Sequence, residues 1–429
     1  MTALTTPGIG PGIGLERRTG TVIVSQLGAR MHYAVPRILA THSRLAHFYT
    51  DICATKGWPA LVNRLPKRLL PTAVRRLVGR VPAGVPAGLT TVFPFFGVRS
   101  AVRRLAVEDV AAETSHAIWA GRRFSQLVAR DGFHGAAGLY AFAGDALEQM
   151  RAAKQLGMWT AVEQMIAPRD TVEALVNQEI HDHPDWAGAA PANPFVAGFA
   201  ERERAEWQLA DMIVCPSQFV RDHVAAQGGP VERCVVVPYG VDTSFRIERG
   251  EREPGPLRVL TVGEVGLRKG SPYVVEAARQ LGADAVVRMV GGTRIPVSVQ
   301  ASIGAAVQLA GIVPRADMAE QLQWADVFLL PSICEGSATA VYEALSAGLP
   351  VITTANTGSV VRHGHEGYIV PIRDPGAIVR CIRHLIANPD IREDMAQSAK
   401  VRAADFTVAR YGERLMAALS TLDQHEGRP

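Results

Sequence analysis

Short, mainly apolar runs alternate with segments of helical periodicity along most of the chain. In the first half, the apolar runs predict strands at residues 21–25, 137–142, 158–162 and 210–215. In the second half, they predict strands at residues 257–262, 285–290, 307–309, 327–330 and 351–354. Helical periodicity favours helices at residues 31–41, 145–156, 272–281, 318–323, 339–347 and most of the chain after 377. Strands that are apolar throughout and alternate with helices are typical of parallel sheets covered on both faces.

A stretch rich in Gly, Arg, Glu and Pro at residues 242–256 separates the two series, and we interpret it as an interdomain linker. The sequence therefore predicts an α/β protein with two Rossmann-like domains, residues 1–237 and 238–404, followed by a helical segment at 405–429. Open α/β sheets bind ligands at the carboxyl ends of their strands. We expect the functional residues in loops that follow strands and face a cleft between the domains.

Composition narrows the class of protein. The chain has 429 residues, 48% hydrophobic and 20% charged, which is enough apolar material for more than one core and excludes disorder as the main state. Its five cysteines are widely spaced and form no C-x-x-C pair, which disfavours a disulfide scaffold or a cysteine zinc site and fits a reducing cytosol. No apolar run approaches the roughly 18–20 residues of a membrane-spanning helix, and residues 1–20 show no signal-peptide pattern. We expect a cytoplasmic protein.

Basic residues are unevenly distributed. The formal net charge is +4, but the segment Arg64–Arg123 holds eleven basic and three acidic residues and therefore carries +8 by itself. Two interpretations stay open: a solvated surface, or a face held against anionic lipid on the inner side of a membrane, with neighbouring apolar side chains entering the interface. No zinc, helix-turn-helix or RNP pattern supports nucleic-acid binding.

Two loops that follow predicted strands contain the candidate chemistry. The first places Arg268 and Lys269 just before a helix whose N-cap and first residue are predicted at Ser271 and Pro272. Cations beside the positive end of a helix suit a phosphate or diphosphate, although Arg-Lys pairs are also common in solvated loops. A glycine-rich stretch at residues 8–14 is a poor nucleotide site because it precedes the first strand instead of following it.

The second loop begins at Pro331, where a strand ends, and contains Glu335. The backbone N–H groups of residues 337–339 can open the next helix, in which Glu343 lies. Carboxylates accept hydrogen bonds from the vicinal hydroxyls of a sugar or ribose, while amides and cations take phosphates. Alternatively, Glu343 is simply an acid that is favourable early in a helix.

Together these motifs resemble those of the retaining glycosyltransferases of family GT4, which have the GT-B fold. Glu335 and Glu343 resemble the family's E-x7-E motif, and residues 263–270 resemble its G-R-L-x-x-x-K-G phosphate loop. Further matches lie at residues 237–242 with Phe245, at 344–354 and at 367–375. The resemblance extends over about residues 210–400.

The resemblance implies roles for individual residues. Lys269 would hold the donor diphosphate, Glu343 the donor ribose, and Glu335 with the amides after it the donor sugar and diphosphate. Backbone near residues 311–313 would face the base. The departures from the family are Glu264 in place of Arg, for which Arg268 is a candidate substitute, and Ser337-Ala338 in place of Phe-Gly. The donor-binding residues implied are Gly28, Glu264, Arg268, Lys269, Gly292, Ile312, Val313, Glu335, Gly336, Ser337, Ala338, Thr339 and Glu343.

The first domain offers fewer candidates. Gly28 follows the first strand, where members of this family bring backbone close to the reacting sugar. Glu163 ends a strand after which the family often has a histidine, and it joins Glu335 as a candidate catalytic residue, with His181 and His183 in reserve. The pairs His181-x-His183 and His363-x-His365 have no fixed third ligand, so we predict no metal site, and the family usually needs none.

We therefore predict a retaining glycosyltransferase that needs no cofactor. It would transfer a hexose from a nucleoside-diphosphate sugar to a hydroxyl of a glycan, glycolipid or small molecule, in polysaccharide or glycolipid synthesis. The resemblance also implies that the last helix packs back on the first domain. Two other classes stay open: a nucleotide-sugar epimerase or phosphorylase of the same architecture, acting on the donor alone, and a catalytically silent, membrane-associated binding protein.

Overall fold

The computed structural model of the chain describes residues 18–63, 74, 79–188, 192–241 and 255–425. Within these ranges the chain forms two separate parallel sheets flanked by helices, which confirms the α/β class and every strand predicted above. Outside the described residues lie the glycine-rich stretch at 8–14, most of the expected linker at 242–254 with Phe245, and residues 64–73 and 75–78 of the basic segment.

The first sheet has seven strands in the order β3-β2-β1-β4-β5-β6-β7. The strands are β1 Arg18–Gln26, β2 Leu45–Thr50, β3 Thr90–Val92, β4 Ala136–Phe142, β5 Trp159–Glu163, β6 Met212–Cys215 and β7 Cys234–Val236. Its helices are α1 Ala34–Thr41, α2 Trp58–Val62, α3 Pro94–Arg104, α4 Val110–Asp131, α5 Leu147–Gln155, α6 Arg169–Asp182, α7 Pro184–Ala187, α8 Val196–Leu209 and α9 Gln218–Ala226. The strand order reverses between β1 and β4, and such switch points create the crevices in which open α/β sheets bind ligands.

The second sheet has six strands in the order β10-β9-β8-β11-β12-β13. The strands are β8 Leu257–Val262, β9 Ala285–Val290, β10 Gln308–Gly311, β11 Val327–Leu330, β12 Val351–Thr354 and β13 Gly367–Val370. The helices are α10 Ser271–Leu281, α11 Val297–Ile303, α12 Met318–Trp324, α13 Thr339–Ser346, α14 Pro375–Ala387, α15 Pro389–Ala403 and α16 Val408–His425. Its switch point lies between β8 and β11, whose loops contain the two motifs described above.

Helix α16 lies against the first sheet, although it follows the second in sequence. Tyr411, Leu415 and Leu419 on this helix are completely buried and share a core with Val22 and Val24 of β1. The chain reaches this position through a parallel bridge between Val241 and Thr407. The first strand and the last helix therefore share one hydrophobic core.

Helix α6 belongs to the first domain in sequence but packs against the second. Glu179 on this helix is completely buried. It accepts a hydrogen bond from the hydroxyl of Tyr273 at 2.9 Å and pairs with Nε of Arg373 at 2.6 Å. These contacts fasten the first domain to helix α10 and to the turn before α14.

The helix expected from residue 31 begins only at Ala34, so the prediction was wrong for its first turn. Residues Arg30–Tyr33 form a 3-10 turn in which Met31, His32 and Tyr33 have φ values of 45°, 48° and 61°. The side-chain amide of Gln26 donates to the carbonyl of Arg30 at 3.0 Å and holds this turn in place. Apolar spacing could not reveal this local hydrogen bond.

Candidate functional site

The loop after β8 reaches the loop after β11 by close backbone contact. Gly270 has a φ of +70°, and a Cβ at this position would collide with the carbonyl of Pro331. It caps α10, so Ser271 is the first residue of that helix and not its N-cap, as the sequence suggested. The Ser271 hydroxyl instead accepts the N–H of Gly266 at 3.0 Å, which closes the phosphate-type loop on itself.

Arg268 and Lys269 converge on one carboxylate. Nη1 of Arg268 and Nζ of Lys269 lie 2.5 and 2.7 Å from the same Oε1 of Glu335. The side chains of Lys269 and Glu335 are only 14% and 13% exposed. Nη1 of Arg268 also donates to the carbonyl of Cys334 at 3.1 Å. Burial raises the pKa of the neighbouring Cys334 thiol to about 12 and keeps it neutral. The structure therefore brings together three of the residues singled out from the sequence, the cations Arg268 and Lys269 and the acid Glu335.

The amides after Glu335 are partly engaged by the protein itself. The backbone N–H of Glu335 donates to the carbonyl of Asn356 at 3.0 Å, and that of Ala338 donates to the carbonyl of Thr357 at 3.2 Å. The hydroxyl of Ser337 lies 2.6 Å from that of Tyr342, inside the protein. The Ala338 amide is therefore not offered to a ligand in this conformation, whereas Thr339 is exposed at the start of α13.

Glu343 is the fifth residue of α13 and is 7% exposed. Its Oε1 pairs with Nη1 of Arg315 at 2.5 Å. Arg315 follows β10 and was not singled out from the sequence, because no spacing links it to Glu343. Ile312, in the same loop, is 75% exposed.

The remaining residues predicted to bind the donor lie at different places around the two loops. A Cβ at Gly292 would lie 3.5 Å from the side chain of Ile312, so Gly292 borders the same loop. Val313 is partly buried against the core around β11. Glu264 is 55% exposed and faces Arg294 at 3.9 Å, so it is not part of the cluster around Glu335.

The loop after β11, which the sequence predicts to bind the donor, touches the first domain. A Cβ at Gly336 would collide with the carbonyl of Met165, which follows β5. The hydroxyl of Ser217, at the start of α9, donates to the carbonyl of Gly336 at 2.5 Å. Glycine is therefore required at position 336 for the two domains to approach this closely.

Glu163 is 1% exposed within the first domain. Its Oε2 accepts the hydroxyl of Tyr140 at 2.5 Å and its Oε1 that of Tyr239 at 2.6 Å. Burial raises the pKa of Glu163, and the two tyrosine hydrogen bonds partly oppose that rise. Both oxygens are engaged, so catalysis by Glu163 would require one of these bonds to break. Its catalytic role stays a prediction.

Gly28 follows β1 with a φ of +82°, and its N–H donates to Oδ1 of Asp51 at 3.2 Å. It lines a cavity of about 690 Å³ in the first domain. The reserve candidates do not share that cavity: His181 is exposed, and the ring of His183 packs against Tyr273 with centroids 5.2 Å apart.

The described part of the chain lacks two features that would indicate particular partners. No group of three or more His, Cys, Asp or Glu side chains there is placed to hold a metal ion. Nor does that part contain a helix with the length and apolar character needed to cross a bilayer.

Curated relatives match parts of the chain. WcaL of Salmonella typhimurium, named as a colanic acid biosynthesis glycosyltransferase, is 29% identical over 235 residues that cover 50% of this chain and 58% of that protein. The amylovoran biosynthesis glycosyltransferase AmsK of Erwinia amylovora is 26% identical over 192 residues, which cover 41% and 47%. The chain spans about half the length of these curated relatives.

Solved structures match nearly the whole chain. Sucrose-phosphate synthase from Thermosynechococcus elongatus has a TM-score of 0.61 at 14% identity, over 94% of this chain and 99% of that one. An Anabaena protein solved in complex with UDP-glucose has a TM-score of 0.59 at 14% identity, over the same shares. These likenesses show the two-domain GT-B fold. Residues 243–402, which contain both motif loops, match the family model described as Glycosyl transferases group 1. The second half of the chain is therefore similar to the group 1 glycosyltransferases.

Proposed function

We propose that the protein transfers a hexose from a nucleoside-diphosphate sugar to an acceptor hydroxyl, with retention of configuration, in the synthesis of a polysaccharide or glycolipid. The donor is held by the second domain and the acceptor enters from the first. Retention follows from the resemblance of the E-x7-E motif and not from a distance in the structure.

One observation carries this proposal: two cations and one carboxylate meet at the switch point of the second sheet, and a second carboxylate lies on the helix that follows. Arg268 and Lys269 share Glu335, and Glu343 lies further along the helix that this loop opens. A diphosphate that enters this cluster takes over the two cations, which releases Glu335 toward the attached sugar. Glu343 then accepts hydrogen bonds from the ribose hydroxyls.

Charge stabilisation of the leaving diphosphate supplies the main catalytic effect in this proposal. Negative charge grows on the diphosphate as its bond to the sugar breaks, and fixed cations lower the energy of that state. Arg268 and Lys269 provide these cations from the protein, so we expect transfer without an added metal ion.

Donor binding and turnover test the assignment. A thermal-shift screen against UDP-, GDP- and ADP-sugars identifies the donor, since a bound ligand raises stability by mass action. Lys269→Ala and Glu343→Ala should each weaken its binding by roughly 10–100-fold, because each removes charge-assisted hydrogen bonds. Lys400→Ala and Glu276→Ala, at exposed positions on α15 and α10, serve as matched controls. Wild-type affinity and turnover in both site variants would refute the assignment.

A product assay separates the alternative activities. Incubation with the donor alone yields an epimer or a sugar phosphate if the protein is an epimerase or phosphorylase. The transferase assignment requires an acceptor for anything beyond slow donor hydrolysis.

We also propose that the basic surface of the first domain lies against anionic lipid. Phe95, near the start of helix α3, is 94% exposed, and Leu105, the C-cap that follows Arg103 and Arg104, is 86% exposed. Exposed apolar side chains beside cations suit the boundary between lipid headgroups and acyl chains. Vesicles with anionic lipid should retain the protein at low salt, and equal retention by purely zwitterionic vesicles would contradict the role of charge.

A further inference from the structure

The first-domain cavity lies where the carboxyl ends of β1, β2 and β4 meet. Gly28, Asp51 and Asp145 follow these strands and line its inner end, whereas helices α3 and α4 line the outer part. Its volume of about 690 Å³ is in the range of sites that enclose small organic ligands. Apart from Gly28, the residues assigned to the donor do not line this cavity.

Two buried polar atoms on residues that line this cavity have no hydrogen-bond partner among the described residues. Asp145 is 2% exposed, and its Oδ2 pairs with Arg30 at 3.1 Å while Oδ1 has no partner. The N–H groups of Leu27 and Phe142 lie close enough to lower the pKa of Asp145, but neither makes a well-formed hydrogen bond to Oδ1. Burial dominates and raises that pKa to about 6, so the group is largely ionised at neutral pH.

His116 contributes the second of these atoms. It is 8% exposed and lines the same cavity. Its Nε2 lies 3.3 Å from the Ser100 hydroxyl, while Nδ1 has no partner. Buried polar atoms are rarely left unsatisfied, so a carboxylate oxygen and a ring nitrogen in one cavity indicate a ligand that has hydroxyl groups.

The inner end of the cavity is also close to the donor loop. Arg30, which pairs with Asp145, places Nη1 3.0 Å from Sδ of Met165. The carbonyl of Met165 lies directly against Gly336 of the donor loop. One residue, Met165, therefore separates the cavity wall from the loop that would hold the reacting sugar.

The outer part of the cavity includes a row of apolar side chains along helix α3. Val98, Val102 and Leu105 of α3 and its C-cap line the cavity, and they are also exposed to solvent by 44%, 60% and 86%. Their spacing of four and three residues places them in one row on the helix. A ligand that fills the cavity can thus continue along this row without leaving apolar surface.

We propose that the cavity is the acceptor site, and that the acceptor is an amphiphile whose sugar hydroxyl donates to Asp145 and whose hydrocarbon chain leaves along α3. The inference rests on the proposed function and narrows its acceptor class. A wholly hydrophilic glycan would satisfy Asp145 and His116 but would gain nothing from the row of apolar side chains.

Alkyl maltosides test the apolar part without requiring catalysis. Methyl, hexyl and decyl maltoside share one sugar head, and their binding is measured by tryptophan fluorescence below the concentrations at which they form micelles. Affinity for the wild-type protein should rise roughly two- to fourfold per added CH2 as the chain buries apolar surface. Equal affinity for the three compounds, or no binding of decyl maltoside, would overturn the proposal.

Two variants separate the head from the chain. Val102→Gln should weaken decyl maltoside by about threefold or more and leave methyl maltoside unchanged, because it removes apolar contact only. Asp145→Ala should weaken all three by about tenfold, because it removes the hydroxyl's acceptor. The matched controls are Val401→Gln and Asp284→Ala, whose native side chains are 73% and 57% exposed outside the cavity.

Nucleotide-sugar binding separates a failure of the acceptor-site proposal from a failure of the proposed function. Nucleotide-sugar affinity is measured for every variant and should stay at the wild-type value, since the donor loops belong to the second domain. If Val401→Gln weakens decyl maltoside binding as much as Val102→Gln does, the maltosides bind nonspecifically. That result would overturn the acceptor site. Absence of nucleotide-sugar binding in the wild-type protein would refute the proposed function itself.

Discussion

At the scale of single residues, Glu335 contacts the two cations that we propose for the donor diphosphate. Its carboxylate balances Arg268 and Lys269 in a largely buried position, where an unpaired cation would be costly. The same ion pairs keep both cations oriented toward the site before the donor arrives. In the proposed complex, the donor diphosphate would replace the carboxylate beside these cations, which would not need to be desolvated again.

Arg315 should influence donor binding through Glu343. It holds the carboxylate at 2.5 Å, although its own side chain is 57% exposed. We expect Arg315→Ala to weaken nucleotide-sugar binding about fivefold, consistent with the modest worth of exposed ion pairs, and Arg315→Lys to restore part of it. Calorimetric titration measures the change, with the 73% exposed Arg294→Ala as control. Tighter binding by Arg315→Ala would show instead that the arginine competes with ribose for Glu343.

Glu203 should make stability depend on pH. Its oxygens accept from Gln164 at 2.8 Å and from the N–H of Arg169 at 2.7 Å, and burial raises its pKa to about 7. The folded protein therefore keeps a proton on Glu203 between pH 4.5, the ordinary pKa, and pH 7. The contribution of Glu203 to stability is fully present below pH 4.5 and is lost as pH rises through 7.

Glu203→Gln removes this titration and should flatten the profile. The difference between wild type and variant should change by on the order of 3 kcal/mol between pH 4 and pH 8, as two to three pKa units imply. Chemical denaturation at both pH values measures it. A wild-type protein that gains stability toward pH 8 relative to the variant would contradict the raised pKa.

At the scale of elements, helix α6 joins the two domains through a buried charge. Removing one partner of a buried ion pair leaves the other unpaired, at a cost of about 3–5 kcal/mol. Arg373→Met should therefore destabilise the protein strongly, whereas Arg380→Met, at a 73% exposed position in the next helix, should change little. The double variant Glu179→Gln/Arg373→Met should recover much of the loss. Denaturation midpoints decide, and equal effects at both arginines would refute the buried pair.

Elements with uniform apolar runs were predictable from sequence, and those with mixed patterns were not. Strands β4 and β11 are buried along their whole length, so their sequences alone identify them. Strand β2 includes His47 and ends at Thr50, and both are buried by contacts that a sequence pattern does not show. Helix α4 was missed because its polar residues His116 and Ser125 are buried among apolar ones.

The same limit applies to the candidate site. The cluster around Glu335 was predictable because its members follow adjacent strands and resemble a known motif. Arg315 and the cavity around Asp145 depend on strand order and loop path, which no local pattern encodes. The contact between Arg315 and Glu343 joins residues that lie 28 apart in the sequence, and the contact between Arg30 and Asp145 joins residues that lie 115 apart.

At the scale of the whole molecule, helix α16 links the second half of the chain to the core of the first domain. Leu415 is completely buried against this core. We expect Leu415→Ala to lower the free energy of unfolding by about 2–5 kcal/mol through lost burial and a residual cavity. Donor affinity should stay within about twofold of wild type, because the donor loops follow β8 and β11 of the other sheet. The control Val401→Ala, at a 73% exposed position, should leave both quantities unchanged. Urea denaturation and nucleotide-sugar titration of the same samples measure the two effects. A parallel loss of donor affinity would mean that α16 positions the donor site as well as the first domain.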